Sequence, residues 1–173
     1  MNFSIQRAGR AFSKKSLAGL AAAAVLSVLA QTPVSAQAAL PAGCAGDTSG
    51  ASHIWVETSG VKSSDGYITL TLYDDQRSKF LAKGGSRDVV RVPAQAGTTR
   101  ACLKLPDNGI WVIAVYHDEN ASRKLDRGRF GIPTEGFGFS NNPSTVAGLP
   151  SFRSVRLSVP KPGLTTRISM RYL

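Results

Sequence analysis

The sequence predicts an all-β protein, a single antiparallel β-sandwich of about seven strands. Three observations carry that expectation. Residues 67–73 alternate strictly, with Ile68, Leu70 and Leu72 on one face and Thr69 and Thr71 on the other, as in a half-buried strand. Turn residues recur along the chain, at Ser63-Ser64-Asp65-Gly66, Pro106-Asp107-Asn108-Gly109 and Lys161-Pro162-Gly163. Beyond the apolar N-terminal run, no stretch carries a convincing helical period.

Residues 1–36 read as a secretory signal peptide that is cleaved. Arg7, Arg10, Lys14 and Lys15 form a basic start, and residues 17–30 form an apolar run of about 14 residues. Val34-Ser35-Ala36 then supplies small residues for cleavage after Ala36, with Ala38 as a second cut point. A membrane-spanning helix would need about 20 apolar residues, so this run is too short, and no later stretch qualifies. Residues 37–51, rich in Gly, Ala, Ser and Thr, read as an extended leader. Residues 52–173 read as one β-sandwich domain with a long loop at 117–150.

The strands follow in order. His53-Ile54-Trp55-Val56-Glu57 begins the first, stopped by Ser59-Gly60, and Asp65-Gly66 gives the positive φ that a tight hairpin needs. The alternating strand at 67–73 comes next, then an irregular connection at 74–85 that contains Phe80-Leu81. Val89-Val90-Arg91-Val92 is a short strand ended by Pro93. Residues 99–105 set Arg100, Cys102 and Lys104 against Ala101, Leu103 and Leu105. Residues 110–116 are β-branched and aromatic and apolar on both faces, which predicts a central strand. Residues 152–159 alternate as one strand, and residues 166–172 close the chain with Ile168 and Met170 facing inward.

The formal charge is +10, and removing the four basic residues of the signal leaves 17 − 11 = +6. These bases are scattered rather than clustered, so nucleic acid is not an expected partner. An anionic envelope surface or plain solubility accounts for them. Two cysteines remain after cleavage, Cys44 and Cys102, and in an oxidising compartment they form one disulfide closing about 58 residues. Neither CxxC nor a Cys/His cluster is present, so the pair reads as a staple. The expected location is the periplasm or the medium, with an envelope component, an extracellular partner or a small ligand as the contact.

The chemistry concentrates in residues 111–142. His117 with Asp118 or Glu119 beside it suggests a general base oriented by a carboxylate. A strand, however, sends neighbours such as His117 and Asp118 to opposite faces. Asp118, Asn120, Ser122 and Asp126 stand at relative positions 1, 3, 5 and 9, the spacing of a calcium loop. Arg123 and Arg129 occupy positions 6 and 12, where glycine and a bidentate glutamate belong, leaving Glu119 or Glu135 as substitutes. No cofactor besides calcium is expected. Ser140 lacks the G-x-S-x-G elbow of a nucleophile. Phe137 and Phe139, set between glycines, either plug the open end of the sandwich or line a groove, with Asn141 and Asn142 supplying hydrogen bonds.

The run AVYHDEN…KLD…GIPTEGFGFSNN, followed by GLPSFRSVRLSV, resembles an uncharacterised family of bacterial exported proteins known only as a domain of unknown function. The resemblance extends from about His53 onward and implies a small periplasmic or secreted sandwich, transthyretin-like or immunoglobulin-like. It brings no activity with it. The family loop often reads HDENGNGKLD, so Ala121, Ser122 and Arg123 stand here in place of Gly-Asn-Gly. That change implies a loop that keeps its turns through Asp118 and Asn120 without an ion. The leading expectation is a non-enzymatic binding or structural module whose contact surface is residues 117–142. A calcium-dependent module and a hydrolase built on His117 are the alternatives.

Overall fold

The computed structural model describes residues 40–46, 50–145 and 148–173. The expected signal peptide, both cleavage points and the first residues of the leader lie outside the described residues. Those described form two sheets packed face to face, one of four strands and one of five. The first sheet runs in the order β1 (Cys44–Ala45), β5 (Gly97–Leu105), β2 (Ser52–Val61) and β9 (Leu164–Ser169). The second runs β4 (Asp88–Pro93), β3 (Tyr67–Asp74), β6 (Gly109–Asp118) and β7 (Phe137–Phe139), and β8 (Arg156–Val159) also pairs with β6.

The alternation seen in the sequence decides the core. Ile68, Leu70 and Leu72 of β3, Leu103 and Leu105 of β5, Ile54 and Val56 of β2, and Ile113 and Val115 of β6 fill the space between the sheets. Ile168 and Met170 join them from the C-terminal end. The outer face of β6 is also covered, because Val112 packs with Tyr73, Phe137, Phe139 and Val155 in a second cluster. Phe80, from the irregular connection, closes that cluster against Phe139 and Phe152. A strand apolar on both faces is thus apolar because it is covered on both.

The structure corrects one expectation and adds detail to three. The sandwich is mostly antiparallel, with two parallel pairs, β1 with β5 and β9 with β2. The chain crosses from the second sheet before β9 and so enters beside β2 running the same way. Residues 152–159 are not one strand, since Phe152–Val155 forms a single helical turn before β8. Ser151 causes this by accepting the Ser154 N–H as an N-cap. The leader contributes a strand, β1, through its disulfide to Cys102. The long loop contains a short strand, β7, which extends the sheet beyond β6.

Two contacts position the functional end. Phe137 and Arg171 exchange backbone hydrogen bonds of 3.0 and 2.9 Å, which ties the loop to the chain beyond β9. At the turn before β3, Gly66 has φ +64°, and a Cβ there would lie 1.9 Å from the Asp118 carbonyl oxygen. Only glycine allows the two segments to approach so closely.

Candidate functional site

At the end of β6 the chain leaves the sheet, and its last two side chains part. His117 continues the inner face and is fully buried. Its Nε2–H donates to the Asp65 carbonyl oxygen at 2.8 Å, because a carbonyl can only accept. The other ring nitrogen, Nδ1, therefore accepts from the Tyr172 hydroxyl at 2.8 Å, and that hydroxyl in turn accepts the Lys62 N–H at 3.0 Å. Burial pushes the Tyr172 phenol above its ordinary range, as suits a hydroxyl that keeps its proton for the imidazole. Asp118 faces the opposite side, also fully buried, and accepts the Arg123 N–H at 3.0 Å. His117 and Asp118 form no dyad. The carboxylate nearest the imidazole is Glu119, whose Oε1 lies 4.0 Å from Nδ1. Both ring nitrogens are already bonded, one to a phenol hydroxyl and one to a backbone carbonyl.

The calcium-like segment is held by hydrogen bonds of its own. Asn120 Oδ1 accepts the Ser122 N–H at 3.0 Å, and Asn120 Nδ2 donates to Asp126 at 2.7 Å. Lys124 Nζ stands 3.4 Å from the same Asp126 carboxylate. The Asn120 carboxamide first, and then Lys124, hold the Asp126 carboxyl below the usual range. Ala121 and Arg123 have φ of 58° and 65°, the left-handed backbone that favours glycine. The loop thus takes a turn shape that its side chains do not prefer. Among the described residues no group of three or more His, Cys, Asp or Glu is arranged to hold a metal. The oxygens of Asp118, Asn120 and Asp126 are committed to N–H and O–H donors, an ammonium sits on Asp126, and Arg123 stands where the turn wants glycine. This donor set does not fit calcium. Millimolar calcium is expected to leave the melting temperature unchanged, since a ligand bound only by the folded state must raise it.

Beyond this segment the chain forms a short hairpin. Thr134 N–H donates to the Asp126 carbonyl at 2.9 Å and Gly128 N–H to the Ile132 carbonyl at 2.8 Å, with a 3₁₀ turn at Arg129–Gly131 as its tip. Glu135 clamps the base: its carboxylate accepts the Asp126 N–H at 2.9 Å and the Glu119 N–H at 3.2 Å. Burial, aided by the charges of Asp126 and Asp118, raises the Glu135 carboxyl above 4.5 against the pull of those two N–H groups. The sign follows from proton counting. The folded state binds the Glu135 proton more tightly than the unfolded chain, so this group favours folding most at low pH. That contribution is lost as pH rises from about 4.5 through the raised value. Urea unfolding of wild type and Glu135→Gln at pH 4 and pH 7 is expected to show the wild type losing ground to the variant on going to pH 7. A pH-independent difference would mean that Glu135 titrates normally. At both pH values the variant also lacks one clamp bond, because the amide nitrogen cannot accept.

Phe137 and Phe139 lie on β7, both nearly buried, with ring centroids 6.1 Å apart, and Phe139 meets Phe80 edge-on. Asn141 donates to the Arg156 carbonyl at 2.7 Å. The Asn142 carboxamide pairs with the free edge of β9, donating to Arg167 O at 2.9 Å and accepting from Ser169 N at 2.7 Å. A recess of about 120 Å³ borders Phe137, Phe139, Asn142, Pro143 and Arg171. That is well below the ~300 Å³ at which ligand pockets begin. The four residues expected to bind a ligand lie on and just after β7: Phe137 and Phe139 pack on the outer face of β6, and Asn141 and Asn142 bond to backbone groups of the chain at 156, 167 and 169.

Four residues hold places that the sequence did not assign them. Tyr172, the partner of His117, lies 55 residues away, and nothing local marks it. Glu135 entered as a substitute calcium ligand and acts as the hairpin clamp. Phe130 carries no role in the sequence reading, although an aromatic residue among Arg127, Arg129 and Gly131 in a loop is a readable signal, and Ile132 stands there only as part of Gly131-Ile132-Pro133. Phe130 is 96% exposed and Ile132 51%.

Residues 56–167 match the family described as an uncharacterized protein conserved in bacteria (DUF2141). No curated protein matches the chain. No solved structure matches it either.

Proposed function

The chain belongs to this bacterial family, and on that premise we propose that it is an exported, non-enzymatic contact module presenting residues 117–142 to a partner. One observation carries the reading. The polar side chains of the loop are spent on the loop itself, with Asp118, Asn120 and Glu135 bonded to its backbone, while the apolar tip faces water. Such a division suits a segment built to hold a shape outward rather than to activate a bond. Export is supported by the basic and apolar N-terminus and by the Cys44–Cys102 disulfide. Among the described residues no helix is long and apolar enough to cross a membrane.

The reading is tested in the producing cell by a photo-crosslinking residue at position 130, with one at Val89, on the exposed edge strand β4, as the control. Adducts are expected from position 130 and not from Val89. Equal labelling at both positions, or turnover of ester, peptide or glycoside panels by the purified protein that depends on His117, would overturn it.

A further inference from the structure

We propose that the hairpin tip docks on an anionic lipid surface, inserting Phe130 and Ile132 among the acyl chains while Arg123, Lys124, Arg127 and Arg129 meet the headgroups. The inference rests on the loop being the contact surface, and it names what the loop contacts. Single exposed apolar residues are ordinary on a protein surface. Here two large ones share a tip of a few residues, and Phe130 is the most exposed large hydrophobic side chain among the described residues. Phe130 also holds φ 63°, a left-handed conformation that a bulky residue resists. The Gly128–Ile132 and Asp126–Thr134 hydrogen bonds and the Glu135 clamp fix the hairpin beneath it. The aromatic ring is thus presented on a braced support instead of folding back onto the protein.

Charge selects the partner. Residues 123–134 carry four cations, Arg123, Lys124, Arg127 and Arg129, against one acid, Asp126, a balance of 4 − 1 = +3. Asp126 is already engaged by Lys124 and Asn120. Of the other nearby acids, Asp118 and Glu135 are buried under the loop, and Glu119 lies 4.0 Å from Lys62. Among the described residues no carboxylate pairs with Arg123, Arg127 or Arg129, and the Arg127 guanidinium is used on the Gly131 carbonyl at the tip, at 2.8 Å. Apolar side chains with a basic rim match the boundary where anionic headgroups meet acyl chains. A nucleic acid would engage the cations and stack on Phe130, but it offers nothing to the aliphatic Ile132.

The test uses the full chain and vesicles of phosphatidylcholine with or without phosphatidylglycerol. Because residues 17–30 are apolar and can bind lipid themselves, the tip is read locally, through the emission that a Phe130→Trp variant adds to that of Trp55 and Trp111, with brominated phosphatidylglycerol as the quencher. That added emission is expected to shift to the blue and to be quenched on the anionic vesicles only. With an Ile132→Trp reporter at the tip, Phe130→Ser is expected to weaken the lipid affinity read from that quenching by about tenfold or more, the scale for withdrawing one aromatic side chain. The pair Arg127→Glu and Arg129→Glu should weaken it at least as much, at about fivefold for each lost cation. An unquenched tryptophan, equal quenching on neutral vesicles, or partitioning unchanged in the variants would overturn the proposal. So would full displacement by millimolar glycerol phosphate, which would assign the site to a free phosphate. If the tryptophan stays unquenched while position 130 still crosslinks to a protein, the lipid is wrong and the contact-loop reading stands. If position 130 crosslinks to nothing, the broader reading fails as well.

Discussion

Replacing His117 with alanine is expected to lower the unfolding free energy by about 3–5 kcal/mol, more than a surface histidine would cost. The imidazole is fully buried and meets the Tyr172 ring edge-on at 6.2 Å. Removing it opens a cavity, leaves the Tyr172 hydroxyl without its acceptor and leaves the Asp65 carbonyl without its donor. The Tyr172 hydroxyl is half-buried and Asp65 is exposed, so each lost bond costs toward the low end of about 1–3 kcal/mol, and the cavity left by the buried ring supplies the rest. Tyr172→Phe removes only the hydroxyl and is expected to cost about 1–2 kcal/mol. Denaturant unfolding of both variants checks the pair. A His117→Ala loss below about 1 kcal/mol would show that water reaches the site, and would return His117 to the candidates for a base.

The second large effect concerns the staple. Removing it by Cys44→Ser with Cys102→Ser is expected to lower stability by about 4 kcal/mol, within a range of about 2–5 kcal/mol. The bridge closes a sequence separation of 58 residues, and the freedom it denies the unfolded chain grows with the logarithm of that length. The effect on the folded state is local. β1 is two residues long and pairs only Cys44 with Cys102 and Ala45 with Leu103, so without the bridge little keeps it on β5. Its departure uncovers the edge of β5, and an uncovered edge strand invites pairing with a second copy. Thermal unfolding with and without reductant measures the first effect, and light scattering of the double variant measures the second. A shift in stability below about 1 kcal/mol would mean that the unfolded chain is already compact.

The strands were legible because their alternation is local. Ile68, Leu70 and Leu72 declare their face within five residues, and Ala101, Leu103 and Leu105 do the same. Residues 152–159 show the same alternation, yet half of them coil. One serine hydroxyl at position 151 captures a backbone N–H, an interaction that a period-two pattern does not contain. The Gly-Phe-Gly-Phe segment was legible as special and ambiguous in role. Whether Phe137 and Phe139 line a groove or fill one depends on what lies opposite, and Phe80, Phe152 and Val155 come from distant parts of the chain.

The sequence by itself determined the sandwich, the pairing of the two cysteines and the parting of His117 from Asp118, since each follows from alternation or from counting. Tertiary structure alone decided what the loop does with its polar groups. His117 is bonded through both ring nitrogens, to Tyr172 and Asp65, and the calcium-like oxygens are bonded to N–H groups and to Lys124. Glu135 braces a hairpin whose tip leaves Phe130 in water. The physical reason is one of range. Side-chain period and turn chemistry act over a few residues, while the partner that satisfies a buried polar atom comes from wherever the fold brings one.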